Sequence, residues 1–369
     1  MSEILPILFI CIILAYCSQN RLFCVRISEK KTLDLPLVII IVTLVLFCGL
    51  RTNFNDTYLY ISLFKNAQPL TEFLKSEPEL MENPLFYSFE CIFRNNISDN
   101  YHLYLLAISV FTNTSIILFI RKFSTNFTLS ITIYFSIGLY YDTLGALKQT
   151  LAIAILTYAI RALIKKKYIV FYLIVFIAML FHTYAIFFAI LPLFTRKPWT
   201  LFTYITIVSV ILLMFSFQST LDMIMSAAEE TGKHISSEEL LDNIGINPFR
   251  LAVFAVPPLL SFIFQTQLED KYTREMSVLM NMSIISFLVM FMGIFTAANL
   301  FGRCSGYFEI GAIIAVPWLL DKIFEERSVQ IASIIVGFCY LAFFNFLSQG
   351  FDAEYSYITF SQFIQTLKV

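Results

Sequence analysis

LYLLAISVFTNTSIILFI, Leu103–Ile120, runs 18 residues without a charge and stops at Arg121-Lys122. At about 1.5 Å of rise per residue, such a helix nearly spans a hydrocarbon core. Its basic stop marks a cytoplasmic end, because Lys and Arg gather on that side of short loops. The same pattern recurs along the chain. Further apolar runs lie near Ile4–Cys17, Leu35–Leu50, Leu129–Tyr141, Leu147–Ile164, Tyr168–Phe181 and Tyr184–Phe194. Others follow near Leu201–Phe217, Phe249–Phe264, Met276–Ala297, Phe308–Leu320 and Val329–Leu347. The reading is an all-α, polytopic transmembrane helix bundle of about 12 hydrophobic segments, forming one integral membrane domain over residues 1–369.

Composition agrees. Hydrophobic residues make up 58%, charged residues 14%, and mean hydropathy is +0.77. A water-soluble fold could not cover that much apolar surface. The net charge of −1 gives no global field for nucleic acid. The seven cysteines are scattered without a CxxC pair, so they read as small hydrophobes rather than a disulfide or metal framework. Glu3 and the lack of an early basic residue argue against a cleaved signal peptide.

With the N-terminus outside and the runs alternating, 16 of the 25 basic residues face the cytoplasm, against 8 of 26 acids. The stretch Tyr168–Phe194 is flanked by Lys165-Lys166-Lys167 and Arg196-Lys197. Both flanks ask for the same side, so it reads as two short helices or a re-entrant hairpin turning at His182-Thr183. Two long outer loops result, at about 51–102 and 218–248. In the first, Leu70, Phe73 and Leu74 have the spacing of a helix lying on the membrane surface.

Basic residues on the outer side run against the topological bias. Arg51, Lys148 and Arg303 all fall there, and His182 lies at the same level. Three cations at the mouth of a bundle suit a strongly anionic ligand such as a pyrophosphate. The competing reading is that each snorkels to headgroups or pairs locally, Arg51 with Asp56 or Lys148 with Asp142. Asp56, Glu82, Glu90 and Asp142 lie outside near helix ends, where a carboxylate either serves as a general base or is simply solvated. His182 suits proton transfer or a polar turn. No Walker A loop, GxGxxG, HExxH or GxSxG occurs, nor a DxD in the first outer loop. Asn96-Ile-Ser98 matches a glycosylation sequon.

Gly49-Leu-Arg51 through Asp56-Thr-Tyr58 resembles the signature that follows an early helix in the EpsG family of Wzy-like bacterial exopolysaccharide and capsule polymerases. Ala146–Phe188 is more similar still, with a basic-Gln-x-Leu-Ala opening, a basic cluster and a Phe-His turn. The Arg303…Tyr307 element has a counterpart before a late helix. Lys148 stands where the family usually has Arg, Asn55 where a glycine is common, and Glu82-Asn83-Pro84 where a Glu-Pro pair is usual.

The resemblance implies a multi-pass enzyme of the bacterial cytoplasmic membrane, acting at the outer leaflet on undecaprenyl-pyrophosphate-linked oligosaccharides. A flippase and a chain-length regulator are its expected associates. On this reading Arg51, Lys148 and Arg303 hold the pyrophosphate. Asp56, then Glu82, or His182 takes the acceptor proton. Tyr58, Tyr87 and Tyr307 stack on sugars. Cationic side chains replace a metal, so no cofactor is expected. The alternatives are a membrane O-acyltransferase, a polysaccharide flippase or other transporter, and a ligase sharing the same chemistry.

Overall fold

Surrounded by hydrocarbon, a chain must close its own backbone hydrogen bonds, and uncharged runs therefore become helices. The computed structural model describes residues 4–28, 31–75, 82–213, 245–294, 297–349 and 354–367. It is 80% helical, as an all-α membrane protein should be. Every apolar run expected from the sequence overlaps a helix. Four helices are long and apolar enough to span alone, or up to six if two bent pairs each make one span. The chain divides into two compact units, Met1–Ala189 with Phe324–Val369, and Ile190–Ile323.

In the first unit, Leu35–Gly49, Tyr101–Phe123 and Leu147–Ile164 pack in sequence. Ile4–Gln19, Phe127–Ser136, Tyr168–Phe181 and Glu326–Gln349 surround them. Gly49 permits the first of these contacts. A Cβ there would lie 2.8 Å from the Leu106 Cα, too close for any other residue. Gly49→Val is expected to push these helices apart and lower the unfolding temperature in detergent, overpacking costing about 1–3 kcal/mol. An unchanged melting curve would refute the close contact.

The outer surface of this unit is itself apolar. Ile331, Ile334, Ile335 and Phe338 are all more than half exposed along one face of Glu326–Gln349. Lipid suits such a face.

The two ends of this unit differ chemically. At one end Arg121 pairs with Asp34 at 3.6 Å and donates to Ser18 Oγ at 3.0 Å. Gln19 accepts there from the Thr128 N–H, and Arg161 lies over the Phe119 ring. This is the basic end that the Lys/Arg pattern requires. Arg51 and Lys148 stand at the opposite ends of the same helices.

The run Leu129–Tyr141 is two helices rather than one, Phe127–Ser136 and Leu139–Gly145, because Gly138 takes a left-handed φ of 94°. The first long loop carries helices at Thr57–Asn66 and Pro84–Ile92. The expected surface helix is a single turn, Leu70–Phe73, started by Pro69. The break at His182-Thr183 is present. Tyr168–Phe181 ends there, and Thr183–Phe194 continues as a tighter 3-10 helix. Of the second long loop, 218–244 lies outside the described residues.

In the second unit, Arg274–Met292 packs against Pro248–Ile263, Ala298–Gly306 and Ile310–Ile323. Pro248–Ile263 bends by 76° into Gln265–Lys271, and Ala298–Gly306 by 63° into Ile310–Ile323. Arg250 meets Glu309 near the starts of two of these helices, and Gln267 and Lys271 bond the Lys322 carbonyl near their ends. Pro248–Ile263 and Ile310–Ile323 therefore run in the same direction, with the lysines at one end.

Candidate active site

The Leu35–Gly49 helix stops at Leu50, and Arg51–Asn53 leaves it as a short strand. That strand pairs antiparallel with Ser356–Tyr357, Arg51 opposite Tyr357. The pairing holds the backbone while the Arg51 side chain turns inward and is fully buried. Its Nε donates to Thr57 Oγ1 at 3.0 Å, and its Nη1 to the Cys48 carbonyl and sulfur. Its Nη2 is buried with no hydrogen-bond partner among the described residues.

Lys148 sits in the first turn of Leu147–Ile164, where unsatisfied N–H groups already favour anions. Its Nζ donates to Tyr87 Oη at 2.7 Å and lies over the Tyr87 and Phe86 rings. Among the described residues three ion pairs form, Arg121–Asp34, Arg250–Glu309 and Lys322–Asp321. Neither Arg51 nor Lys148 enters one; Lys148 has the buried Glu90 within electrostatic range, whereas no carboxylate among the described residues pairs with Arg51.

Tyr60 ties the two cations together. Its phenol lies within electrostatic range of Asp56, Tyr87 and Arg51, and faces the Lys148 backbone. Burial pushes its pKa up to about 12, with Asp56 adding to the rise and Arg51 opposing it. Asn55 takes a left-handed φ of 46°, a conformation that Asn tolerates better than most side chains. A Cβ on Gly145 would come within 2.9 Å of the Asn55 amide, so this turn rests directly on the entry to the Lys148 helix.

The other expected residues are distributed as follows. Asp56 is exposed and precedes the Thr57–Asn66 helix without capping it. Glu82 is exposed, and His182 is half-buried with its ring 5.5 Å from that of Tyr184. Thr183 donates from its backbone N–H to Asn83 Oδ1 at 2.9 Å, bringing the His182 turn beside Glu82-Asn83. Tyr58 is 79% exposed and open to a ligand. Tyr87 is committed to Lys148 through its hydroxyl. Tyr307 is only 1% exposed, so its ring packs inside the second unit rather than offering a sugar-stacking face. Arg303 is exposed in the last turn of Ala298–Gly306.

A family model described as the EpsG family matches residues 34–361. The chain belongs to the EpsG family. Membership makes it a multi-pass membrane protein of polysaccharide biosynthesis. No curated relative and no solved structure matches the chain.

In this EpsG protein two polar groups stand out, Glu90, one of the four outer acids weighed as a general base, and Arg250, which the sequence reading does not name. Glu90 is 2% exposed, on the helix that also carries Tyr87. Arg250 reaches Glu309 Oε1 at 3.5 Å, and Ser305 donates to the same oxygen at 3.3 Å. In the sequence Glu90 reads as one of four acids near outer helix ends. No short-range pattern marks either, because long-range packing buries Glu90 and brings Arg250, itself half-buried, to the buried Glu309.

Proposed function

We propose that this protein polymerises lipid-pyrophosphate-linked oligosaccharide repeat units at the outer face of the bacterial cytoplasmic membrane. The observation that carries the reading is Arg51, a fully buried cation with an unpaired nitrogen and no carboxylate partner among the described residues. A lone buried cation costs several kcal/mol, so its presence calls for an anion that is not part of the chain. A pyrophosphate supplies one, and EpsG membership makes a lipid-linked glycan its natural bearer.

The chemistry is a substitution at the anomeric carbon of the growing glycan. The C–O bond to the lipid pyrophosphate breaks, and the leaving group takes the electron pair. The hydroxyl of the incoming unit forms the new C–O bond and gives up its proton. Arg51 and Lys148 offset the charge that develops on the leaving oxygen. Asp56 is the first choice to accept the proton, being exposed on the turn after Arg51. Glu82 and His182 follow, held near each other by the Asn83–Thr183 bond. Tyr58 offers its open ring to a sugar face.

The test is a glycan ladder, made by purified full-length protein in detergent from a synthetic lipid-pyrophosphate repeat unit. A ladder of multiples of the unit is expected, and it should persist in EDTA because cationic side chains do the work of a metal. Single-unit transfer to a different acceptor would replace polymerisation with ligation. Loss of the ladder in EDTA would overturn the cation-only mechanism.

A further inference from the structure

Glu90 lies on Pro84–Ile92 between Phe86 and Phe93, both part of a buried aromatic cluster with Tyr60, Phe64 and Tyr104. Its Oε1 and the Tyr104 Oη are both buried and face each other, the phenol being the one hydroxyl among the described residues that is placed to act on this carboxyl group. A carboxyl group in such a place is poorly solvated and costly to ionise. The groups that face it are few. Lys148 reaches it electrostatically from Leu147–Ile164, Tyr104 from Tyr101–Phe123, and Cys91 from its own helix. Tyr168–Phe181, packed against the same helix, carries no charged residue. Glu72 of the neighbouring turn is exposed, and Arg94 is turned to the Ala67 carbonyl at 2.7 Å. Lys148 is thus the single full charge acting on Glu90 from these neighbours.

We propose that Glu90 is a positioning residue that balances the Lys148 charge and takes up a proton when a pyrophosphate diester seats against that ammonium. The inference rests on the pyrophosphate reading of Arg51 and Lys148. With the site empty, the carboxylate gives the ammonium a counter-charge. When the diester arrives, it takes over that role, and a second negative charge beside it is unfavourable. Glu90 then gains one proton from solvent, and nothing else changes covalently. Burial raises its pKa to about 7, while Lys148 and Tyr104 act the other way, so the exchange falls in the physiological range. The sign follows from linkage. Binding that takes up a proton weakens as pH rises. The diester holds no group that titrates near neutrality, so the dependence belongs to the protein.

The experiment is calorimetric titration of the full-length protein in detergent with a farnesyl diphosphate sugar. It is run on either side of neutrality, in two buffers of different ionisation heat. Wild type is expected to take up a proton on binding and to lose affinity by about tenfold per pH unit above the Glu90 titration. Glu90→Gln should bind with no proton uptake and a flat pH profile. Glu90→Asp, which keeps a carboxyl group, should retain the uptake and guards against a folding defect in the glutamine variant. Uptake unchanged in Glu90→Gln, or wild-type binding without uptake, would overturn the role of Glu90. Failure of wild type to bind the diester at any pH would instead overturn the pyrophosphate site itself.

Discussion

Arg51→Met is expected to reduce ladder formation by ~10²–10³-fold, the loss typical of removing one donor from a developing negative charge. It should do so without a matching loss of stability. Methionine fills much of the same volume, and replacing a buried charge by an apolar side chain is often neutral or stabilising. The Arg51 bonds to Thr57 and Cys48 are lost, but Thr57 Oγ1 keeps its bond to the Phe54 carbonyl at 2.6 Å. Thermal unfolding in detergent and ladder yield are therefore expected to separate. A scaffold role for Arg51 would make them fall together. Arg51→Lys sharpens the test, because lysine keeps the charge and gives up the planar fork. An intermediate yield is expected from it. Equal loss in both variants would mean that donor geometry matters more than charge.

The contrast between Arg51 and Glu90 shows what a sequence can reveal in a membrane protein. Arg51 was conspicuous because hydrophobic runs and basic stops set a side for every cation, and this one fell on the wrong side. The structure puts Arg121 and Arg161 at one end of the first unit and Arg51 and Lys148 at the other. Side preference is written in local composition. Burial is not. Glu90 becomes a buried acid only because Tyr104 and Lys148, on two later helices, close over it. The break at Gly138 was hidden for a related reason. Apolar residues continue on both sides of it, so hydropathy ran through a change in backbone direction that the left-handed glycine makes. Tyr307 shows the converse case. An aromatic residue near a helix end reads as a glycan contact, whereas packing has put it in a core.

The C-terminal strap was illegible for the same physical reason, and it carries the second large effect. Its strand is two residues long, and its partner strand lies about 300 residues earlier, with Thr52 and Ser356 joined through their hydroxyls at 2.7 Å. No periodicity marks so short an element. Its contacts nonetheless converge on Arg51. Tyr357 faces Arg51 in register, and Ile358 donates to the Leu50 carbonyl at 3.0 Å. Tyr355 stacks on Phe47 at 4.2 Å and bonds its carbonyl at 2.5 Å. Farther along, Asn100 bonds Thr366, and Phe363 is buried beside the His102 ring.

Ending the chain at Gln349 is therefore expected to leave the helices folded but to release the Arg51 strand. A shift of ~1 Å at a reacting centre costs about 10²-fold, and a ladder loss of that order is expected. Tyr355→Ala should reproduce part of it. Tyr355→Phe keeps the stacked ring and should lose much less. A cysteine at Ser361 should react with a membrane-impermeant maleimide from outside intact cells. Wild-type ladder yield from the truncated chain would show that Leu35–Gly49 and Thr57 alone hold Arg51 in place. Labelling of Ser361→Cys only after membrane permeabilisation would place Arg51 on the inner face, and the outer-leaflet reaction would fall with it.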